Sequence, residues 1–357
     1  MNQDTSCSHQ ILEELDWLVD STVDFPRIAV RMDDLESSLA HPELESLARR
    51  QDPLDGSWGR CHTEWFFKVN ATYDHISNPA NRDEIPGYKL HLLDRINSPE
   101  KLKQYFALIA VSDIAHTGRD NLRELNESLE NLSRMVLRSI PRYYHFDPHL
   151  RAVMTDIIFN QLRNPVTGWW GPRYIRNAKT EFVDTLSMTF HMVSSNYGKV
   201  PNLGPVMEHL LAVKDLEYPV GWLRGGNYSN HHEMDVIDLF RYGWPYMTNT
   251  QHKAATTEIR KIVRWCLDRS LQADGSFKKE GAGDSLEEDT SFGADLLIDA
   301  GVFDKTKRFW TTEDFPEAEE VRQRIIGFIQ AHIANGGAGG TYYANTLKGL
   351  NVKPAKP

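Results

Sequence analysis

The sequence predicts an all-α protein in which helical hairpins close into a ring, an α/α toroid. A turn that combines glycine with an aromatic residue recurs at near-constant spacing, at residues 55–59, 167–171, 220–222 and 274–277. Gly168 and Gly221 are 53 residues apart, Gly221 and Gly275 are 54 apart, and Gly56 precedes Gly168 by 112, about two periods. A helix-loop-helix unit of this length cannot bury its apolar face alone, so neighbouring copies are expected to share one core.

The helices of the repeat fall into two types that alternate along the chain. Apolar side chains lie on most faces of three predicted helices, at residues 181–197, 235–242 and 290–300. Three others carry a single apolar stripe at helical spacing, at residues 203–214, 256–271 and 317–334. A helix that is apolar all round belongs inside a protein, and a striped helix belongs outside. The alternation therefore predicts an inner and an outer layer of helices, as a toroid requires.

The part of the chain before the clearest repeats is also predicted to be helical. Ser98, followed by proline, is a helix start, because a serine side chain caps the first amides and proline fits the first turn. It opens a predicted helix over residues 98–111, and the next covers residues 121–139. Residues 1–50 are predicted to form an N-terminal helical cover, and residues 51–357 one continuous toroid domain. Strand-like alternation is nearly absent.

The bulk composition narrows the classes of protein to which the chain can belong. Hydrophobic residues make up 40% of the 357 residues, which is enough for a large core. The formal net charge of -10 argues against a nucleic-acid or anionic-membrane surface, because phosphate groups select for clustered lysine and arginine. No apolar run approaches the length of a membrane span, and residues 1–10 lack the features of a secretory signal. Both a cytoplasmic protein and an exported chain without its signal fit these observations.

The expected position of function is one mouth of the ring, because the loops that lead into the inner helices converge there. Six tryptophans fall in or near these loops: Trp58, Trp65, Trp169, Trp170, Trp222 and Trp244. Flat aromatic faces suit stacking on sugar rings, whose axial C–H groups are apolar while their hydroxyls stay hydrated. The alternative is that each tryptophan fills a gap between hairpins, since buried tryptophan is common.

The densest group of polar side chains lies at the start of one predicted inner helix, in residues 222–235 and just after. Its members are Arg224, Asn230, His231, His232, Arg241, Tyr242 and Tyr246. Helix capping by Ser229 or Asn230 would explain one of these positions. It does not explain why polar groups lead directly into the apolar stretch 236–240, because polar groups that enter a core need partners or a function.

Two other features belong to the preceding units. His191 lies among apolar neighbours on the predicted inner helix 181–197. A lone histidine in such a place is more often a hydrogen-bonded core residue than a catalyst. Arg173 follows the Trp169–Trp170 pair and gives a second aromatic and cationic loop, with Glu181 and Asp184 after it.

These residue types fit β-elimination from a uronic acid polymer. The proton next to the sugar carboxylate is removed and the 4-linked glycosidic oxygen leaves. That proton is very weakly acidic until the carboxylate charge is neutralised by asparagine, histidine, arginine or a protonated acid. A tyrosine or histidine then acts as base, and the same or another group protonates the leaving oxygen. The residues that could supply both functions are Asn230, His231, His232, Arg241 and Tyr246, with His191 beside them.

Three segments resemble toroid polysaccharide lyases, in particular the thirty-eighth lyase family of alginate and glucuronan lyases. They are residues 185–191, residues 230–232 with 240–245, and residues 303–305 with 308–310. The resemblance covers most of the chain from about residue 50. It implies a single-domain barrel of six or seven helical hairpins and elimination without a metal or other cofactor. An anionic polysaccharide is then the expected partner, and a periplasmic or secreted location follows from that function.

The resemblance also implies roles for individual residues. A tyrosine serves as acid and base, with histidine and arginine around the uronate, and the matching positions are His191, His232, Arg241 and Tyr246. Tyr228 and Tyr242 lie close to Tyr246 in sequence, so the identity of the tyrosine stays open. The expected substrate-binding residues are Trp169, Trp170, Arg173, Trp222, Arg224, Asn230, His231 and Tyr242.

Other functions remain open from the sequence. A glycoside hydrolase on the same ring would oppose Glu181 or Asp184 to Glu233 or Asp235 as its two carboxylates. A prenyltransferase or terpene cyclase is suggested by the Asp-Gly-Ser-Trp turn, but the sequence has no Asp-x-Asp-Asp motif and no zinc-ligand set. A metal hydrolase could use His231, since an aspartate follows one helical turn later. A non-catalytic glycan-binding ring is the alternative that is not an enzyme.

Overall fold

The structure is a computed structural model that describes residues 50–78, 81, 84–138, 140–279, 285–334 and 340–352. Over these residues 57% of the chain is helical and 6% is strand. The chain divides into two compact units. Within the described residues, the first unit contains residues 50–164 and Trp170–Asp184, and the second contains Pro165–Trp169 and residues 185–352. The predicted N-terminal cover over residues 1–50 lies almost wholly outside the described residues.

The first unit contains five α-helices and a small sheet among its described residues. The helices are α1 (Trp65–Ser77), α2 (Pro99–Ile109), α3 (Ile114–Thr117), α4 (Leu122–Arg138) and α5 (Leu150–Asp156). A 3-10 helix (His91–Ile96) precedes α2, and one π-helical turn (Ile157–Gln161) extends α5. The Ser98 side chain accepts a hydrogen bond from the Lys101 amide, which confirms the predicted cap of α2.

The three-stranded sheet of the first unit corrects the prediction that strands are nearly absent. Strand β1 (Val111–Ser112) pairs in parallel with β2 (Arg173–Arg176), which pairs antiparallel with β3 (Lys179–Phe182). Asn177 and Ala178, the two residues between β2 and β3, both have positive φ, 50° and 59°. Two positive φ values in a two-residue loop match the twist of a hairpin. The strands are too short to show an alternating pattern in the sequence.

The second unit contains seven α-helices among its described residues. They are α6 (Leu186–Ser195), α7 (Leu203–Ala212), α8 (Asn230–Gly243), α9 (Asn249–Trp265), α10 (Leu286–Asp299), α11 (Ala318–Ala334) and α12 (Gly340–Gly349). A 3-10 helix (Trp244–Tyr246) follows α8, and a π-helical turn (Cys266–Ser270) extends α9. No helix in the described part of the chain is both long and apolar enough to cross a membrane.

Helices α6, α8, α10 and α12 pack side by side in the same direction. On α6 and α8, Ser194 hydrogen-bonds Asp238, and Gly198 just beyond α6 faces the ring of Tyr242. Between α8 and α10, His231 contacts Phe292 in the middle of α10, and Arg241 near the end of α8 lies 3.6 Å from Asp299 at the end of α10. Between α10 and α12, the contacts likewise advance in step, from Phe292 with Tyr342 to Asp295 with Thr346. The N-termini of these four helices therefore lie at one end of the second unit.

Helices α7, α9 and α11 connect members of this row and bury only one side. The buried residues of α7 recur at helical spacing, at Leu203, Val206, Met207 and Leu210. The longest run of consecutive buried residues in α8 is instead residues 235–240, which confirms its inner position. The alternation of inner and outer helices predicted from residue 181 onwards is thus confirmed within the second unit, although the first predicted inner segment begins as strand β3.

The glycines of the repeated turn adopt the left-handed conformation that the turn needs. The φ angles of Gly56, Gly168 and Gly275 are 76°, 75° and 96°, which side chains with a Cβ rarely adopt. A Cβ at Gly275 would lie 2.5 Å from the carbonyl carbon of Arg324 on α11 and nearer still to its oxygen. Gly221 has no positive φ, but a Cβ there would also meet a backbone carbonyl, that of Leu216. Close approach to another backbone therefore explains three glycines of the repeat, Gly56, Gly221 and Gly275.

The aromatic residue of each turn points into the protein. The turns at residues 55 and 274 also have the same pattern of hydrogen bonds. Asp274 accepts from the Ser276 amide at 3.0 Å, as Asp55 does from the Ser57 amide. The next amide, that of Phe277, donates to the Thr290 hydroxyl of the following helix at 3.4 Å. The amide of Trp58 donates to Thr72 in the same way, at 3.1 Å. The repeated turn therefore directs an aromatic side chain into the core.

The two cysteines among the described residues differ in oxidation state. Cys266 is free and fully buried, so it fills core volume. Cys61 is disulfide-bonded.

Candidate functional site

The polar residues grouped by the sequence separate to the two ends of α8. His231 and His232 lie in its first turn, whereas Arg241 lies in its last turn and Tyr246 beyond it. At 1.5 Å per residue, the ten positions from His231 to Arg241 span about 15 Å. The sequence-based prediction that these side chains surround one sugar unit is therefore wrong, because neighbours in sequence become distant along a straight helix.

The N-terminal end of α8 carries a continuous row of rings, which we call the ring row: Tyr218, His232, His231, Phe292 and Tyr342. Tyr218 stacks on His232 with 4.1 Å between ring centroids, and His231 stacks on Phe292 at 4.3 Å. The two histidines are 5.6 Å apart, and Tyr342 meets Phe292 edge-on at 6.0 Å. The row therefore extends from the loop before α8 across α8 and α10 to α12.

The N-cap of α8 determines where the two histidines of the ring row lie on the helix. The Ser229 hydroxyl accepts the His232 amide at 3.1 Å, and the Ser229 amide donates to the Glu233 carboxylate at 2.6 Å. Ser229 is thus the N-cap of α8, one of the two predicted possibilities. The cap sets the helix phase, and with it the direction in which His231 and His232 project.

Asn230 belongs to the core and not to a substrate surface. Its side chain is fully buried. It accepts a hydrogen bond from the Ser270 hydroxyl at 2.7 Å and donates to the Lys278 carbonyl at 3.3 Å. These partners satisfy both ends of the amide, so the prediction that Asn230 binds substrate is wrong. Its side chain ties the start of α8 to the end of the preceding hairpin.

Electrostatics keep His231 neutral. Burial, together with the smaller effect of the positive charges of His232, His191 and Arg224, lowers the pKa of His231 to about 3. This imidazole therefore remains an unprotonated acceptor at neutral and mildly acidic pH. The charges of His191 on α6 and of Arg224 in the loop before α8 thus act on the histidine at the centre of the ring row.

Arg224 extends from an ordered loop. The Arg224 amide donates to the Asn227 carbonyl at 2.8 Å. The two glycines between them, Gly225 and Gly226, donate their amides to the Glu217 carboxylate at 2.9 and 2.7 Å. Because the backbone of this loop is fixed by Glu217, the exposed Arg224 side chain starts from a defined point beside His231.

The C-terminal end of α8 is a separate polar cluster. Arg241 is paired with Asp238, lies 3.6 Å from the carboxylate of Asp299, and covers the ring of Tyr242 at 4.5 Å. Tyr246 is 56% exposed on the 3-10 helix. Arg241 is thus already neutralised by carboxylates of its own unit, which leaves it poorly suited to hold the carboxylate of a sugar.

Three of the tryptophans predicted to stack on sugars are fully buried. Trp169, Trp170 and Trp222 are all fully inaccessible. In the second unit the Trp169 indole donates to the Val206 carbonyl at 3.1 Å, and Trp222 packs edge-on against Phe240. In the first unit the Trp170 indole donates to the Ile158 carbonyl at 2.6 Å. The prediction of a sugar-binding role is wrong, because the glycine turn aims these side chains inward.

Arg173 has an internal partner in the first unit. Its guanidinium donates to the Gln161 carbonyl at 2.6 Å and lies over the ring of Phe182 at 5.3 Å. On the same sheet Glu181 is exposed, and Asp184 accepts from Asn164 at 3.0 Å. The structure therefore gives Arg173 a role in joining the π-helical turn to the sheet.

The two carboxylates on α8 that a hydrolase would use are inaccessible. Glu233 and Asp235 are both fully buried, and Glu233 is bound to the Ser229 amide. Over the described residues, no three histidine, cysteine, aspartate or glutamate side chains converge in a way that could hold a metal ion. The buried positions of Glu233 and Asp235 therefore support neither a glycoside hydrolase nor a metal hydrolase at this end of α8.

Three members of the ring row were not anticipated from the sequence. Tyr218 lies in the loop just before a repeated turn, and Phe292 and Tyr342 lie on helices that follow α8 by one and two hairpins. For Tyr218 the sequence signal was its closeness to the turn. No sequence signal pointed to Phe292 or Tyr342, because only the packing of α8, α10 and α12 brings them together.

No protein family, no characterised protein and no solved structure matches this chain. The inference of function therefore depends on the side chains themselves.

Proposed function

We propose that the ring row is the active site of a polysaccharide lyase that cleaves a 4-linked uronic acid polymer, of the alginate or glucuronan type, by β-elimination. The observation that carries this proposal is a neutral imidazole, His231, held within a row of stacked rings and beside the cationic Arg224. The resemblance of residues 185–191 and 230–232 to toroid lyases supports it. A closed ring of six or seven hairpins in one domain belongs to the same proposal.

The ring row suits the binding of successive sugar units. Its two ends are accessible, since Tyr218 is 39% exposed and Tyr342 is 37% exposed. Aromatic side chains of this kind offer an apolar face to sugar C–H groups and a hydroxyl to their oxygens. Arg224 supplies a positive charge for a uronate carboxylate in a chain whose net charge is otherwise negative.

β-Elimination needs two proton transfers, one from the carbon next to the carboxylate and one to the leaving glycosidic oxygen. His231 accepts the proton from the carbon next to the carboxylate, and the electron pair left behind forms the carbon–carbon double bond as the glycosidic C–O bond breaks. The phenol of Tyr218 donates a proton to the leaving oxygen. Arg224 neutralises the carboxylate and thereby makes the carbon acid stronger. A bound carboxylate also favours the protonated form of nearby imidazoles, which strengthens His231 as a base.

The decisive experiment is an assay of the protein with alginate, glucuronan and pectate. We expect at least one polymer to yield an unsaturated product that absorbs in the far ultraviolet, at a rate unchanged by a chelator. A water-derived reducing end without that absorbance would support a glycoside hydrolase. Binding without any product would support a glycan-binding ring, and absence of both binding and cleavage would exclude all three functions for these polymers.

Replacement of Arg224 tests the recognition of charge. We expect Arg224→Ala to weaken binding of the anionic polymer about tenfold, the size of one charge-assisted hydrogen bond at a partly hydrated site. Binding would be measured by calorimetry at low and high salt. Arg269→Ala, another exposed arginine of the second unit, is the matched control and should leave affinity unchanged. An equal loss of affinity for a neutral glycan would contradict a charge-specific role for Arg224.

A further inference from the structure

We infer that Glu217 is a positioning residue of the proposed active site, because its carboxylate holds the loop tip that carries Arg224 and so sets where Arg224 meets an acidic sugar unit. The tip consists of residues 224–227, and we call it the arginine turn. The inference rests on the proposed function for the identity of the ligand. The anchoring of the arginine turn by Glu217 does not depend on that function.

The arginine turn is closed by its own backbone but is not packed at its centre. The Arg224 amide donates to the Asn227 carbonyl at 2.8 Å, and the Asn227 amide donates back to the Arg224 carbonyl at 3.3 Å. Gly225 and Gly226 between them have φ angles of 59° and 76°, and two positive values in succession are typical of a tight hairpin turn. A Cβ on either glycine would meet nothing within 4 Å. Packing of the two glycines therefore does not fix where the turn lies.

The Glu217 carboxylate supplies a contact that packing does not. The amide of Gly225 donates to its Oε2 atom at 2.9 Å, and the amide of Gly226 donates to its Oε1 atom at 2.7 Å. Successive backbone amides that face one way form a concave site for an anion. Hydrogen bonds to a charged carboxylate are also stronger than those between neutral groups. A side chain from outside the turn thus binds both of its central amides.

Glu217 also connects the arginine turn to the proposed proton donor. Tyr218 follows Glu217 directly, its amide donates to the Leu223 carbonyl at 2.8 Å, and its ring stacks on His232 at 4.1 Å. Leu223 in turn precedes Arg224. In β-elimination the carboxylate and the leaving oxygen belong to the same sugar unit, so the groups that bind them must keep a fixed separation. Glu217 ties these two groups together.

The charge of Glu217 by itself predicts the opposite effect on binding. Glu217 is exposed and negative, so it repels an acidic sugar, and its removal would strengthen binding if charge were its only contribution. If Glu217 positions Arg224, its removal weakens binding, because a mobile arginine must lose conformational freedom when it binds. The two roles therefore change the affinity in opposite directions.

The test measures binding of alginate and glucuronan to Glu217→Gln by calorimetry at fixed ionic strength. We expect binding to weaken about three- to tenfold, with the loss expected for Arg224→Ala as its limit. Glu217→Gln/Arg224→Ala should bind no more weakly than Arg224→Ala, because Glu217 acts through Arg224. Glu208→Gln removes the same charge from an exposed position on α7 and should not weaken binding.

A second readout examines the backbone without any polymer. Glutamine offers one acceptor oxygen where glutamate offers two, so at least one of the two glycine amides loses its acceptor in Glu217→Gln. We expect the amide of Gly225 or Gly226 to exchange with solvent at least about fivefold faster in the variant, as measured by nuclear magnetic resonance. The exchange of amides within α8 should stay the same, which shows that the fold is retained.

The outcomes separate this inference from the proposed function. Binding by Glu217→Gln that equals or exceeds that of the native protein would overturn the inference alone, as would a further loss in the double variant. Unchanged exchange of both glycine amides would overturn the anchoring, whether or not a polymer binds. A native protein that binds neither polymer would overturn the proposed function and the ligand assigned to Arg224.

Discussion

Replacing His231 by glutamine is expected to abolish the cleavage of polyuronates. General acid–base catalysis by a side chain contributes about 10²- to 10⁴-fold to a rate, so kcat should fall within that range. Glutamine keeps a polar group of similar length against Phe292 but cannot accept a proton. The variant should therefore retain its fold and its affinity for the polymer, as measured by thermal unfolding and calorimetry.

The pH dependence of the native protein gives this prediction a second readout. A base works only when deprotonated, and burial holds the pKa of His231 at about 3. The value of kcat/KM in the free protein should therefore not decline between pH 7 and pH 5 through protonation of this group. An ordinary histidine would cause a decline near pH 6.5. A decline centred there would assign the base to a different imidazole.

Two control variants separate the ring row from the rest of the chain. His116→Gln changes an exposed histidine of the first unit and should leave turnover unchanged. Tyr246→Phe tests the residue that the sequence put forward as acid and base, and its position beyond the far end of α8 leads us to expect full activity. If Tyr246→Phe were inactive while His231→Gln remained active, the site assigned here would be wrong.

Replacing Gly275 by alanine is expected to cause the largest loss of stability. Its φ of 96° is a conformation that costs an alanine about 1 kcal/mol or more. The added Cβ would also lie 2.5 Å from the Arg324 carbonyl carbon and 3.0 Å from the Ile325 amide nitrogen. Both are backbone atoms of α11 and cannot rotate away. We expect a total loss of roughly 3 kcal/mol or more in the free energy of unfolding, measured with denaturant.

Gly327→Ala is the matched control, because it makes the same substitution on the helix that Gly275 contacts. A Cβ at Gly327 meets nothing within 4 Å. Alanine is favoured over glycine in a helix by about 1 kcal/mol, so this variant should be slightly more stable. If Gly275→Ala were as stable as the native protein, close packing of the repeated turn against the next helix would be wrong as the reason for the glycine repeat.

The sequence predicted the helical character of the chain and the alternation of inner and outer helices in the second unit, because local patterns determine local structure. The helix start at Ser98, the stripe on α7 and the glycine of the repeated turn each depend on residues close together in the chain. The small sheet escaped prediction because four-residue strands are too short for an alternating pattern. The same limit explains why the inner segment predicted from residue 181 begins as β3 and becomes helical only at Leu186.

The candidate site was predicted only in part. The sequence identified His231, His232, His191 and Arg224, because polar residues ahead of an apolar helix are conspicuous. It also grouped Arg241 and Tyr246 with them, although a helix places residues ten or more positions apart at different ends. Trp169 and Trp222 were assigned to the surface, because the sequence shows where an aromatic residue lies and not which way the turn points it.

The sequence by itself determined the helical repeat and its inner and outer members, and it limited the cap of α8 to two residues, since these follow from periodicity and from side-chain contacts within a few residues. Only the tertiary structure decided which side chains meet. The ring row joins Tyr218 to Tyr342 across α8 and α10. It arises from parallel packing of helices that are separated by whole hairpins, and such contacts depend on the burial of apolar surface between helices, which no short segment encodes alone.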